Sequence, residues 1–253
     1  MASAAEEGSG PTARALRDEP EVIVGNYPLL VAGVMLASLI QLLDTTITIL
    51  AVPHMQCTLG ASGETTTWVL SSYIIASAVA LPITGWLAGK IGSRRLFLWS
   101  VGGFIVASML CGMAQNLTEM VIFRTLQGLG GAFIGPLSQS AMLDATRPSK
   151  RSQIMTIWGI GVVLGPVMGP VIGGVLTENW NWRWVFYVNL PIGLAAIALL
   201  FTQLPKREKR ERPFDIAGFA FIAVTLSALQ LALDRGPRLD WFDSLEIWIY
   251  AGV

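Results

Sequence analysis

The sequence predicts an all-α polytopic membrane protein, and three observations carry that reading. Of its 253 residues 53% are hydrophobic and only 13% charged, with a mean hydropathy of +0.58. Ordinary soluble domains carry about 25% charged residues. The apolar residues gather in seven stretches, each close to the roughly 17–25 residues that cross hydrocarbon as a helix. The lysines and arginines fall almost wholly between alternate stretches, as they do when one side of a membrane retains positive charge.

Residues 1–27 mix charges with no apolar run, which predicts a disordered tail and not a cleaved signal peptide. Spans follow at about 29–52, 68–88, 96–114, 120–142, 154–176, 184–204 and 216–233. The first six make a bundle over residues 28–204. Residues 205–215 are a basic loop, with KREKRER at Lys206–Arg212, expected to be a solvated membrane anchor. Residues 216–253 hold a seventh helix and the start of an eighth from Leu245, which ends after nine residues where about 20 are needed to cross. The chain is therefore expected to stop inside a helix.

Thirteen of the 17 basic residues lie on one side: Arg14 and Arg17; Lys90, Arg94 and Arg95; Arg147, Lys150 and Arg151; and the five of the basic loop. Opposite them stand only Arg183, Arg235 and Arg238, with Arg124 inside a span. The positive-inside rule puts the N-terminus in the cytoplasm of a cell (inner or plasma) membrane. Trp68, Trp180, Trp182, Trp184 and Trp241 are expected in an outer interfacial belt, and Trp86, Trp99 and Trp158 in an inner one. Cys57 and Cys111 make no disulfide framework, and no bridge is expected. Asn116-Leu117-Thr118 fits a glycosylation acceptor, a pattern too short to carry weight. Net charge is zero, and no nucleic-acid partner, metal or organic cofactor is expected.

Two fully ionisable residues sit well within spans, Asp44 in the first and Arg124 in the fourth. An embedded charge costs about 2.5–3.5 kcal/mol on insertion scales, so it faces a cavity or a partner. Asp44 is estimated ~12 Å and Arg124 ~6 Å below the outer surface, close enough to pair directly or through water. A static ion pair and a protonatable carboxylate tuned by a nearby cation both fit that placement. Gln41, Thr45, Thr46, Thr48, Gln127 and Asn189 are candidates to line a polar substrate cavity around them, though each can equally bond between helices. In the fifth span, GIGVVLGPVMGPVIGGVL sets Gly161, Gly165, Gly169 and Gly173 at intervals of four, with Pro166, Pro170 and Gly174 among them. That spacing makes a smooth ridge on which a second backbone can approach closely.

Four motifs, in this order, carry a resemblance. LDTTITILAVP (Leu43–Pro53) is similar to the first-helix signature of fourteen-helix drug–proton antiporters. GWLAGKIGSRRLFL (Gly85–Leu98) resembles the hallmark loop of the major facilitator superfamily, with Gly85, Gly89, Lys90, Gly92, Arg94 and Arg95 as its gating residues. RTLQGLGGA (Arg124–Ala132) matches the motif whose arginine is implicated in proton coupling, and the glycine–proline ladder resembles the antiporter motif. FDIAG (Phe214–Gly218) and LDRG (Leu233–Gly236) look like the extra hairpin of the EmrB/QacA-type branch. Two positions depart from the pattern: Gly89 stands where an aspartate is common, and Ile49 where an asparagine is usual.

The resemblance implies the N-terminal six-helix bundle of such a transporter, plus one linker helix and a truncated eighth. It implies that two halves rock about a midplane site, that Asp44 and Arg124 couple proton entry to expulsion of a small lipophilic substrate, and that the glycine ridge packs against the opposite half. The proton is the coupling ion. Implied partners are the bilayer, the substrate, a C-terminal transporter half and a periplasmic membrane-fusion adaptor. A facilitator or symporter of the same fold, and a non-transporting assembly half, are the alternatives. An enzyme is not expected: His54 is the only histidine, and the spans hold one embedded acid with no paired carboxylates.

Overall fold

A computed structural model describes residues 19–60, 62–205 and 213–252. The basic loop at 206–212 and most of the N-terminal tail lie outside the described residues. Among the described residues, seven helices are long and apolar enough to cross a membrane: α1 Tyr27–Leu59, α2 Trp68–Ile91, α3 Ser93–Met113, α4 Leu117–Asp144, α5 Pro148–Asn179, α6 Trp184–Gln203 and α7 Ile216–Arg235. A short α8, Leu245–Gly252, follows. Their ends define a basic end, where Arg94, Arg147 and Lys150 lie, and a far end opposite.

Local chemistry sets the boundaries. Asn26 caps α1, its side chain accepting from the Leu29 N–H, and Pro28 occupies the first turn, where no N–H is needed. The helix runs past Pro53, where the sequence predicts its end, to a left-handed cap at Gly60. Inside an otherwise bonded helix, one proline removes a single ladder bond without stopping the chain. Asp44 is therefore fifteen residues, or ~22 Å, from the helix end. Gly92, at φ +96°, is the only residue between α2 and α3. That turn needs glycine because side chains clash there.

α1 runs through the middle of the bundle, with α5 on one side and α6 on another. α4 wedges between α2 and α3, and α3 also meets α6. α7 lies on the outside of α2 and buries only Ala228. One apolar cluster, with Phe97, Phe104 and Leu200, fills the basic half of the bundle. A second, with Ile47, Met55, Val69, Cys111 and Phe186, fills the far half. Trp182 belongs to this second cluster and not to an interfacial belt. It is 3% exposed, and its indole Nε1 donates to Thr58 Oγ1 at 2.8 Å. A tryptophan that finds both an apolar bed and an acceptor inside the bundle has no reason to remain at the interface.

Candidate functional site

The site is assembled by close helix approach. A Cβ on Gly128 of α4 would sit 2.4 Å from the Tyr73 carbonyl oxygen of α2, and one on Gly131 would sit 3.0 Å from Phe104 of α3. Only glycine allows those contacts. They seat α4 deeply enough for Arg124 and Gln127, on the turns before, to reach the bundle interior. α1 supplies Asp44 and Thr48, α3 Ser108, and α6 Asn189.

Asp44 and Arg124 pair directly, Oδ2 to Nη1 at 2.6 Å, with neither side chain exposed. Asp44 Oδ1 accepts from Gln127 Nε2 at 2.8 Å and from Asn189 Nδ2 at 2.9 Å. Arg124 Nη1 also donates to Gln127 Oε1 at 2.8 Å, and its Nε donates to the Val69 carbonyl of α2 at 3.2 Å. The guanidinium lies 4.5 Å from the Tyr73 ring centroid and 5.7 Å from that of Phe186. Asn189 Nδ2 donates further to Ser108 Oγ at 2.9 Å, and that hydroxyl donates to the Phe186 carbonyl. The Thr48 hydroxyl donates to the Asp44 carbonyl at 2.6 Å.

Two charges held this way sum to zero, which is what lets them sit at 0% exposure. With water excluded, their attraction is much stronger than between surface groups. Five helices contribute to one small polar knot. Anything that neutralises Asp44 therefore loosens its contacts to α4 and α6 together.

The proposed cavity residues divide. Thr48, Gln127 and Asn189 are fully buried: Gln127 and Asn189 both donate to Asp44 Oδ1, and Thr48 bonds back to its own helix. Gln41, a turn before Asp44, and Thr45, next to it, are half-buried: Gln41 Nε2 donates to the Gly131 carbonyl at 3.0 Å and Thr45 Oγ1 to the Gln41 carbonyl. Thr46 points elsewhere, towards α5. Sequence reasoning missed Ser108, Tyr73, Phe186 and the Val69 carbonyl. A serine amid the apolar residues of α3 was a usable signal for the first; the aromatic rings and a backbone carbonyl left none.

The glycine ridge meets α1 of the same bundle, which corrects the expectation that it packs against an opposite half. Gly161, Gly165, Gly169 and Gly173 are buried against Met35, Leu42, Thr46 and Ile47 in register. A helix spacing of four matches such a seam, and the smooth strip has already been used by the nearest long helix. Gly174 faces open space, and Pro166 and Pro170 lie exposed on the other side of α5.

Of the residues expected to gate, Gly92 makes the turn, while Gly85 and Gly89 are helical within α2. Lys90 lies over the Trp86 ring at 4.8 Å. Arg94 donates to the Phe201 carbonyl at 2.5 Å, tying α3 to α6, and Arg95 is exposed.

The sequence matches the Major Facilitator Superfamily over residues 34–252. The chain belongs to this superfamily. It is 40% identical over 227 residues to "Multidrug export protein EmrB" of Escherichia coli, covering 89% of this chain and 44% of that one. It is 43% identical over 214 residues to "Fatty acid resistance protein FarB" of Neisseria gonorrhoeae, covering 84% and 42%. The chain thus spans less than half the length of these facilitator relatives. Among solved facilitator structures, a peptide transporter POT in complex with sulfate superposes with a TM-score of 0.66 at 16% identity, over 96% of this chain and 53% of that one. A D-xylose–proton symporter gives 0.61 at 17% identity, over 71% and 48%. At such identities the shared feature is the helical fold.

Proposed function

We propose that the chain is the N-terminal half of a proton-coupled antiporter that exports lipophilic small molecules. The Asp44–Arg124 pair carries the proposal. A carboxylate and a guanidinium 2.6 Å apart at 0% exposure form a charge-neutral switch. A proton arriving on Asp44 cancels its charge and releases Arg124 towards Val69, Gln127 and the two rings. Loss of that proton restores the pair. Each state favours a different packing of α1 against α2 and α4, which is the kind of bias that alternating access requires.

In this reading the basic end faces the cytoplasm of an inner or plasma membrane, supported by the distribution of lysine and arginine. Protons enter from the far side and substrate leaves there. The second half of the transport path comes from a C-terminal bundle, supported by the fraction of EmrB and FarB that the chain spans. The names of those two relatives support a lipophilic substrate. An envelope-spanning adaptor is a further proposed partner.

Asp44→Asn in the complete transporter is the direct test. Asparagine keeps an oxygen for Gln127 and Asn189 but cannot cycle a proton. ΔpH-driven dye efflux in inverted vesicles should fall to background, with the protein still present in the membrane. Undiminished coupled efflux would overturn the proposal. Reconstitution separates the half from the whole: the 253-residue chain alone should give no flux, and flux should return when a C-terminal half is supplied.

A further inference from the structure

One polar contact ties the seventh helix to the wall of the coupling site. The Ser71 hydroxyl of α2, 1% exposed, donates to Asp234 Oδ2 near the end of α7 at 2.6 Å. That is the length of a charge-assisted bond. The neighbouring Arg235 is occupied elsewhere: it pairs with Glu246 of α8, which also accepts from the Tyr250 hydroxyl. Asp234 itself reaches across to α2. It is half-buried, on a helix that otherwise buries only Ala228.

Ser71 sits midway between Val69 and Tyr73. Residues two apart on a helix lie about 200° around its axis, so Val69 and Tyr73 share one face and Ser71 looks the opposite way. On the inner face, the Val69 carbonyl accepts from Arg124 Nε and the Tyr73 ring covers the guanidinium. On the outer face stands Asp234. The same turn of α2 is gripped from both sides.

We propose that Asp234 is a positioning residue for the Asp44–Arg124 pair, clamping the far-end turn of α2 against the guanidinium. The proposal rests on the coupling role argued above. It makes the α7–α8 hairpin a handle on the switch: displacing the hairpin removes the acceptor for Ser71 and slackens the α2 turn that holds Arg124. Ser71 Oγ also donates to the carbonyl of Thr67, the residue just before α2, at 3.1 Å, so losing Asp234 releases the clamp without stranding a buried donor.

Cys111 provides the readout. It is buried, its Sγ lies 3.6 Å from Gln127 Oε1, and it shares the far apolar cluster with Val69. In the full chain carrying Cys57→Ser, held in nanodiscs, N-ethylmaleimide modification of Cys111 reports opening of that turn. Asp234→Ala and Ser71→Ala should each speed labelling about tenfold, and the double variant no more than either alone. Asp234→Asn, which keeps an acceptor, should give a smaller rise. Arg235→Ala, which cuts the hairpin's internal tie without touching α2, should stay within about twofold of the parent.

Parent-like labelling in both Asp234→Ala and Ser71→Ala would overturn the clamp. So would an equal rise in Arg235→Ala, since Asp234 would then only support the hairpin. In the complete transporter, Asp234→Ala should shift the pH profile of coupled efflux, and an unmoved profile would count against a link to the switch. Persistence of coupling in Asp44→Asn would overturn the pump reading while leaving the labelling result intact.

Discussion

Arg124→Leu should destabilise the bundle by about 3–5 kcal/mol, the usual result of leaving one member of a buried ion pair without its partner. The stranded group is Asp44, at 0% exposure, with Gln127 and Asn189 still donating to it but no charge opposite. The decisive comparison is the double variant Arg124→Leu with Asp44→Asn. Removing both charges removes the penalty, so stability should return most of the way to that of the parent, far from the sum of the two single losses. Unfolding in mixed micelles, followed by tryptophan fluorescence, measures all four corners of the cycle. Additive losses would mean that the two residues do not act as a pair. Coupled transport should be absent from the double variant however stable it is, which separates folding from function.

Arg124→Lys should not rescue transport. An ammonium can reach Asp44 but cannot at once hold the Val69 carbonyl and Gln127 from a flat group lying against Tyr73 and Phe186.

The second large effect lies in the glycine ridge, where the four positions should differ sharply. A Cβ on Gly169 would fall 2.0 Å from Thr46 Oγ1 and 2.7 Å from Thr46 Cβ, atoms with no room to retreat. One on Gly161 would meet the Met35 methyl at 1.9 Å, the tip of a flexible side chain. Gly169→Ala should therefore cost about 1–3 kcal/mol through overpacking, and Gly161→Ala little. The functional loss at Gly169 should exceed the loss in stability, because Thr46 lies two residues from Asp44 and α1 must move at that turn. Thr46→Ala should recover part of the defect by removing the nearest atom. Thermal unfolding and coupled efflux of the two alanine variants provide the check. Equal tolerance at both positions would contradict the α1–α5 seam.

These effects show what the sequence made legible and what it did not. The spans and the isolated charges Asp44 and Arg124 were readable because hydrophobic length and a lone charge in an apolar run are local signals. The partner of the ridge was not. A spacing of four announces that a backbone comes close, but α1 is identified only by tertiary packing. Asn189 was visible as a polar residue in a span, while its bond to Asp44 crosses 145 positions of sequence. The end of α1 was misplaced because Pro53 and the polar residues His54, Gln56 and Thr58 resemble a stop signal. Trp182 was misplaced because an interfacial belt assigns tryptophans by type, not by the acceptor each one finds.

The reach of α1 has a consequence of its own. Its 33 residues make a rod about 50 Å long, against about 30 Å of hydrocarbon. Leaning alone would need roughly 53° to hide that length, beyond the 0–40° range of membrane helices. Part of the rod must therefore rise clear of the lipid tails. If it is the stretch beyond Pro53, whatever docks on that side meets a stiff post before it meets the membrane. Because the same rod carries Asp44 at its waist, a push on the post is a lever on the switch.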